Sequence, residues 1–388
     1  MKFQVALRDL DAAMQIVTPA LASGSNDLTG HYIFRRYPKD PSKVEILTGS
    51  GRVYASAPLV ADIQTDGSFS VEGKSLRDWL AAMNDDSVMV FEFNPTTKEV
   101  TVGPLGDTMK VNYFQSLEPS HYQWWDEMLK NAVTKVTVNA DRFREAFTFA
   151  KSFVIDDETN NPNISVLEVR DATLLATTKL TLSMITIPEF AQSNLRLHIR
   201  DVAAVLSFAN QCKGGDLEVL EHDRSFFFRR ADGATFVVGR FTVSFPQLAR
   251  PKDADDYQWR VPVDVFKRAL RAVTNTASNE DEIRISRPDP TGPILLSFET
   301  KSRGRWATFD VPCLESKQEP NAPILPDYVT IKRANVKRML DAVQENEIYL
   351  GVNIRGKNGY FRTVEKRGDD SAPRKDEFLV MLAWKTNA

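Results

Sequence analysis

FQVALRDLDAAMQIV (residues 3–17) begins as a strand and continues as a helix. Phe3 and Val5 alternate with Gln4, the two-residue period of a half-buried strand. Beyond Val5, apolar residues fall five, nine and twelve positions on, at Leu10, Met14 and Val17. Steps of four and three return to one side of a 3.6-residue turn, so the three share a helical face. The strand therefore ends near Val5 and an amphipathic helix follows.

The same arrangement recurs, which makes it an internal repeat. Six strand ends, Val5, Val71, Val138, Leu197, Val261 and Ile331, lie 59 to 70 residues apart. The matching helical trios are Leu76, Leu80, Met83; Phe143, Phe147, Ala150; Val202, Leu206, Ala209; Phe266, Leu270, Val273; and Val336, Leu340, Val343. Ser75, Asp141, Asp201, Asp264 and Asn335 stand near the helix openings, where short polar side chains satisfy free N–H groups. Pro19 with Gly24, Asn84-Asp85-Asp86 and Lys213-Gly214-Gly215 are stop signals. Between the helices lie short β-branched or aromatic runs, among them VEILTGS (44–50), VMVFEFN (88–94), EVTVGPL (99–105), MKVNYFQ (109–115), ISVLEVR (164–170), FFFRRAD (226–232), TFVVGRFTV (235–243), EIRIS (282–286), PILLSFE (293–299) and FLVMLAW (378–384). Gly49-Ser50-Gly51 reads as a turn between strands.

Each unit is thus one helix covering a face of antiparallel strands, and two units make an α+β domain of ordinary size. Two linker-like stretches, Leu117 to about Asn131 and Ala249 to Tyr257, divide the units into three pairs, 1–122, 132–248 and 257–388. The polar segment Lys366 to Lys375 reads as a hairpin loop.

The 388 residues are 42% hydrophobic and 26% charged, a soluble globular composition. The net charge of -3 confines any nucleic-acid contact to one face. Two cysteines a hundred residues apart, without CxxC, and four scattered histidines argue for reduced thiols and no metal or cofactor. The acidic start and the lack of a long apolar run imply a cytoplasmic, non-membrane protein. Phosphate-loop, dinucleotide, zincin and nucleophile-elbow motifs are all missing, so an enzyme is the least supported class. Asp156-Asp157-Glu158 reads as a solvated loop rather than a cation site.

Basic residues mark the helix sides opposite the apolar trios: Arg77, Arg144, Lys151, Lys267, Arg268, Arg271, Lys337 and Arg338. Asp78, Glu145 and Asp341 dilute them, leaving about +3 over the helical segments. Such a face is either solvated or a loose phosphate contact. Helices pack about 8–10 Å apart, so twelve in a circle span roughly 35 Å, enough for hydrated duplex, while six span only roughly 18 Å. One chain supplies six, so a ring takes two chains.

With these features the chain resembles the bacterial sliding clamp, the β subunit of the replicative DNA polymerase. The resemblance runs over the whole length, from MKFQV (1–5) through VVGRFTVSFPQLARP (237–251) to LVMLAW (379–384). It implies an α+β fold of three repeated clamp-type domains, each with two helices packed on antiparallel sheets, forming half of a homodimeric ring. It also implies double-stranded DNA, bound without sequence preference, as one partner, and a replicative polymerase and clamp loader as others. The family's peptide pocket maps onto Thr177, Lys179, Leu180, Thr181, Leu182, Pro246, Arg250, Leu379, Val380, Met381 and Leu382, with Thr177, Thr181 and Arg250 as its polar rim. Its subunit interface maps onto the strand carrying Met109, Val111, Tyr113 and Phe114. TTKLTLS (177–183) departs from the family's TDGHRLA, SGSNDLTG (23–30) lacks the family's basic residues, and the chain runs on through Trp384 to Ala388. These departures suit a divergent member, for example one encoded by a phage or plasmid. A clamp-fold scaffold that does not encircle DNA is the alternative.

Overall fold

The computed structural model describes residues 1–22, 30–114, 123–178, 181–212, 214–246, 256–274, 282–286, 294–300, 305–324, 328–343, 345–354, 358–363, 379–383 and 385–386. Seven α-helices lie among them: α1 (Leu7–Val17), α2 (Gly73–Leu80), α3 (Gln123–Asn131), α4 (Ala140–Lys151), α5 (Ile199–Asn210), α6 (Val263–Thr274) and α7 (Arg333–Ala342). Six of the seven start two residues after the repeat anchors Val5, Val71, Val138, Leu197, Val261 and Ile331. The trios supply the buried faces. Leu10, Met14 and Val17 of α1, Phe143, Phe147 and Ala150 of α4, and Val336, Leu340 and Val343 at α7 are all buried. In α5 the inward face shifts: Val202, Val205, Phe208 and Ala209 are buried while Leu206 is half-exposed.

The caps differ from the sequence expectation. Glu72 caps α2, its carboxylate accepting from the Ser75 N–H at 3.1 Å and from the Ser75 hydroxyl, so Ser75 is a donor here. Asn139 Oδ1 caps α4, accepting from Asp141 N (3.1 Å) and Arg142 N (3.2 Å). Buried Asp201 pairs with the partly exposed Arg52, 2.7 Å away.

Among the described residues every strand pairing is antiparallel and falls in one of four sheets. Sheet I orders Asp62–Thr65, Lys2–Ala6, Val88–Asn94, Glu99–Pro104 and Val111–Phe114. Sheet II orders Val133–Asn139, Asp216–His222, Ser225–Arg230, Thr235–Gly239, Val53–Val60, Lys43–Gly49, His31–Arg36 and Ser68–Glu72. Sheet III orders Arg196–His198, Val166–Arg170, Thr173–Thr177, Thr181–Thr186, Leu379–Ala383, Asn358–Thr363, Glu347–Asn353, Tyr257–Pro262 and Glu315–Gln318. Sheet IV orders Arg305–Val311, Ile294–Thr300, Glu282–Ser286, Val329–Lys332 and Lys385–Thr386. The chain packs as two compact units, Met1–Glu145 with Arg200–Phe241, and Ala146–Ile199 with Thr242–Ala388.

In the first unit, four fully buried phenylalanines join sheets I and II. Phe3 and Phe91 stack at 4.9 Å, Phe34 and Phe69 at 5.2 Å, and Phe34 meets Phe91 at 5.2 Å. Sheet II is covered on both faces. Phe228 meets Phe143 of α4, and Phe236 meets Phe208 of α5. Their chain neighbours Phe227 and Val237 point the other way, because successive side chains of a strand alternate. There, with Ile33, Leu47 and Leu220, they enclose Trp125 of α3. Arg35 holds α3 with a two-pronged bond to Asp126 (2.8 and 2.7 Å) and donates to buried Glu45 at 2.7 Å. The stretch read as a linker, Leu117 to Asn131, thus contains a docked helix. Its Trp125, Met128 and Leu129 follow helical spacing and pack on this second layer.

In the second unit, α6 packs on the strands Arg305–Val311 and Ile294–Thr300 and on α7. Lys267 donates to the Val343 carbonyl at 3.0 Å, satisfying an end of α7. Lys179, Leu180, Arg250 and the 366–375 segment lie outside the described residues.

Candidate nucleic-acid interface and peptide site

The basic residues sit on the helix sides that the buried trios leave outward. Arg77, Arg268, Arg271 and Lys337 are exposed, and Arg144, Lys151, Lys267 and Arg338 are half-buried. Several are already engaged within their own helix. Arg144 pairs with Asp141 (2.7 Å), Arg268 with Asp264 (3.2 Å) and Lys337 with Asp341. Exposed pairs at these spacings are weak and solvent-screened, so a phosphate competes for the cation at little cost. Lys267 differs, because its ammonium is tied to a backbone carbonyl.

A groove of about 660 Å³ opens between α1, α2 and α5, bordered by Gln15, Thr18, Arg77, Arg200, Ser207 and Gln211. Arg200 was not among the residues singled out from the sequence. It immediately precedes Asp201 in the first turn of α5.

Among the described residues Val111–Phe114 is an edge strand, bonded on one side to Glu99–Pro104. Phe114 is 72% exposed and Met109 48%, with Leu105 close by in sequence at 57%. Exposed aromatic and aliphatic side chains on an open edge are a ready template for another strand. Val111 and Tyr113 are half-buried on the same strand. The Tyr113 hydroxyl donates to the Ser75 carbonyl at 3.3 Å, and burial, with Glu72 nearby, pushes its phenol up to about 12. In the second unit, Arg305–Val311 is an edge of sheet IV among the described residues.

The segments matched to a peptide pocket are brought together by sheet III. Thr181 stands opposite Leu382, Leu182 opposite Met381, Ser183 opposite Val380 and Met184 opposite Leu379. Leu182, Met184 and Phe245 form a buried apolar cluster flanked by half-buried Leu175, and Pro246 follows at its margin. The threonines do not form a rim. Thr177, Thr178 and Thr181 are buried and satisfy one another: Thr177 Oγ1 donates to the Thr181 carbonyl at 2.8 Å, and the Thr178 and Thr181 hydroxyls lie 2.7 Å apart. Buried hydroxyls with internal partners have little left to offer a ligand.

The three described histidines are not gathered: His31 and His198 are buried in different units and His222 lies on sheet II, while His121 is outside the described residues. Among the described residues no group of three His, Cys, Asp or Glu is placed to hold a metal ion. Asp157 instead organises its own turn, accepting from the side chains of Asn160 (2.9 Å) and Asn161 (2.5 Å). No described helix is long and apolar enough to cross a membrane.

Compared by sequence, the chain matches no protein-family model and no curated protein. Compared by structure, it is similar over its whole length to the DNA polymerase sliding clamp of Bacillus subtilis, with a TM-score of 0.80, 12% identity and 100% of both chains covered. The DNA polymerase III subunit beta of Pseudomonas aeruginosa gives 0.78 at 13% identity, and that of Thermotoga maritima 0.74 at 13%, again with full coverage of both chains. At such identity the likeness is one of fold: the chain has the α+β fold of these structures.

Proposed function

We propose that a chain with this fold is a sliding DNA clamp: a non-enzymatic, cytoplasmic processivity factor, two copies of which close into a ring around duplex DNA. The observation that carries the reading is the structural likeness to bacterial clamps across 100% of both chains. Two further observations support it. Four of the six helices that follow the repeat anchors, α2, α4, α6 and α7, carry the named basic residues outward from their buried faces. Contacts to phosphate alone are loose and carry no sequence preference, which suits a ring that must move along DNA. The apolar edge strand Val111–Phe114 of the first unit and the edge strand Arg305–Val311 of the second suit head-to-tail pairing of two copies.

In this reading the chain is organised as domains 1–122, 132–248 and 257–388, and a short apolar peptide from a replicative polymerase or a clamp loader docks beside Leu175, Leu182 and Pro246. The replacement of the family's Gly-His-Arg by Lys179-Leu180-Thr181 gives the site its own partner preference. The internal pairing of Arg144, Arg268 and Lys337 favours a second reading, a scaffold of the same fold that binds replication proteins without encircling DNA. Light scattering tests the assembly. Twice the chain mass, reduced to one chain mass by Phe114→Asp, supports the ring; a monomeric wild type contradicts it.

A further inference from the structure

One row of sheet III runs from charged side chains to apolar ones, of which Leu175 is half-buried and Met184 buried. Directly opposed residues of antiparallel strands share a face. Arg196 opposes Glu168, Glu168 opposes Leu175, and Leu175 opposes Met184, so the four lie side by side on one face. Phe245 closes over the apolar end, packing on Leu182 and Met184, and its backbone N–H donates to Glu168 Oε2 at 3.3 Å.

The charged end holds more cation than its buried carboxylate needs. The Glu168 side chain is 4% exposed. Arg170 donates to its Oε1 through Nε (3.0 Å) and Nη2 (2.6 Å), and Arg196 donates to its Oε2 through Nε (2.8 Å). One carboxylate neutralises one guanidinium. The other positive charge stays at the surface, since the Arg170 and Arg196 side chains are 40% and 24% exposed. Asp171, exposed in the adjoining turn, pairs with neither among the described residues. Neighbouring strands are about 4.8 Å apart, which puts Arg196 roughly 10 Å from Leu175, the reach of about three extended residues.

We propose that this row reads a two-part peptide: an aliphatic or aromatic anchor against Leu175 and Pro246, and an Asp or Glu about three residues away on the Arg170–Arg196 pair. The proposal rests on the peptide-docking reading above and adds the charge the peptide must carry. Charge complementarity selects the occupant, because a neutral apolar segment leaves the surplus cation without a counter-charge.

The test uses the full chain and a displayed library of short peptides in which one adjacent pair of positions is restricted to aliphatic and aromatic residues and all other positions are randomised. Selected sequences are expected to concentrate Asp or Glu two to four positions from the pair. The best of them should lose about three- to tenfold in affinity when its acid becomes the amide, and by the same factor against Arg170→Gln or Arg196→Gln, with the two losses not adding. Arg170→Lys should restore most of the binding, which separates charge from folding. Peptides that bind without acidic enrichment, or as well in the amide form, overturn the inference and leave the docking site standing. A library that yields no binder removes the docking site and this inference with it.

Discussion

Trp125→Ala is the sharpest perturbation of the fold. Trp125 is fully buried among Ile33, Leu47, Leu220, Phe227 and Val237, and its ring meets Phe227 edge-on at 6.3 Å. These neighbours come from strands on both sides of the seam where Thr235–Gly239 pairs with Val53–Val60. Deleting a fully buried indole costs about 3–5 kcal/mol, the forfeited transfer energy plus the cavity left behind. In a unit of 150–250 residues each kcal/mol is worth roughly 2–4 °C, so the transition of the first unit should fall by roughly 6–20 °C. Calorimetry reads the shift, and hydrogen exchange locates it. Amides of His31–Arg36 and Ser225–Arg230 should lose protection, while those of Val166–Arg170 in the second unit should not. A drop under about 2 °C, or exchange that rises equally in both units, would refute the reasoning that α3 is a packed second layer over sheet II.

Burial raises the Glu45 carboxyl above its ordinary 4.5, although Arg35 opposes the shift. The folded state then holds that proton more tightly than the unfolded chain. This group's contribution to stability therefore grows as pH falls through the raised value and levels off below 4.5. Wild type should gain on Glu45→Gln in urea melts as pH is lowered from about 7 toward 4.5, and a pH-independent gap would contradict this. Exchanging Arg77, Lys151, Arg271 and Lys337 for Gln, with Lys267 kept because it holds the Val343 carbonyl, should weaken DNA retention. It should also flatten the dependence on salt by up to about 0.9 in log–log slope for each phosphate no longer neutralised, with dimer mass unchanged; indifference of retention to all four would mark a merely solvated face. Val111→Asp should act like Phe114→Asp and give a single-chain mass in light scattering, since both put a charge on the open edge strand. If both leave a dimer, the interface lies elsewhere.

The helices were legible because strand end and apolar trio recur in register, and local periodicity alone fixes them. The pairing of strands was not. That Thr235–Gly239 bonds to Val53–Val60, or Thr181–Thr186 to Leu379–Ala383, depends on pairing between residues about two hundred positions apart. α3 was missed because its Trp-Trp sits in a polar, proline-bearing stretch. A signal was present elsewhere: Phe226-Phe227-Phe228 and Phe236-Val237-Val238 are continuous apolar runs, the mark of a sheet covered on both faces. The caps were misread because Glu72 and Asn139 precede the Ser75 and Asp141 positions that composition favoured. At the peptide site the resemblance assigned Leu182 and Met381 to one pocket, and sheet III sets these two residues opposite one another on neighbouring strands. The burial of Thr177 and Thr181 follows from three neighbouring hydroxyls satisfying one another, which residue type alone does not reveal.

The central claim is topological, and retention on circular against linearised DNA tests it most directly. The loaded protein is passed over a sizing column at raised salt before and after a single cut. A ring that encircles duplex should stay with closed circles and leave through the ends once they are cut. Equal loss from both forms, or equal retention on both, would mean that the protein binds DNA from outside or not at all, and would contradict the clamp account.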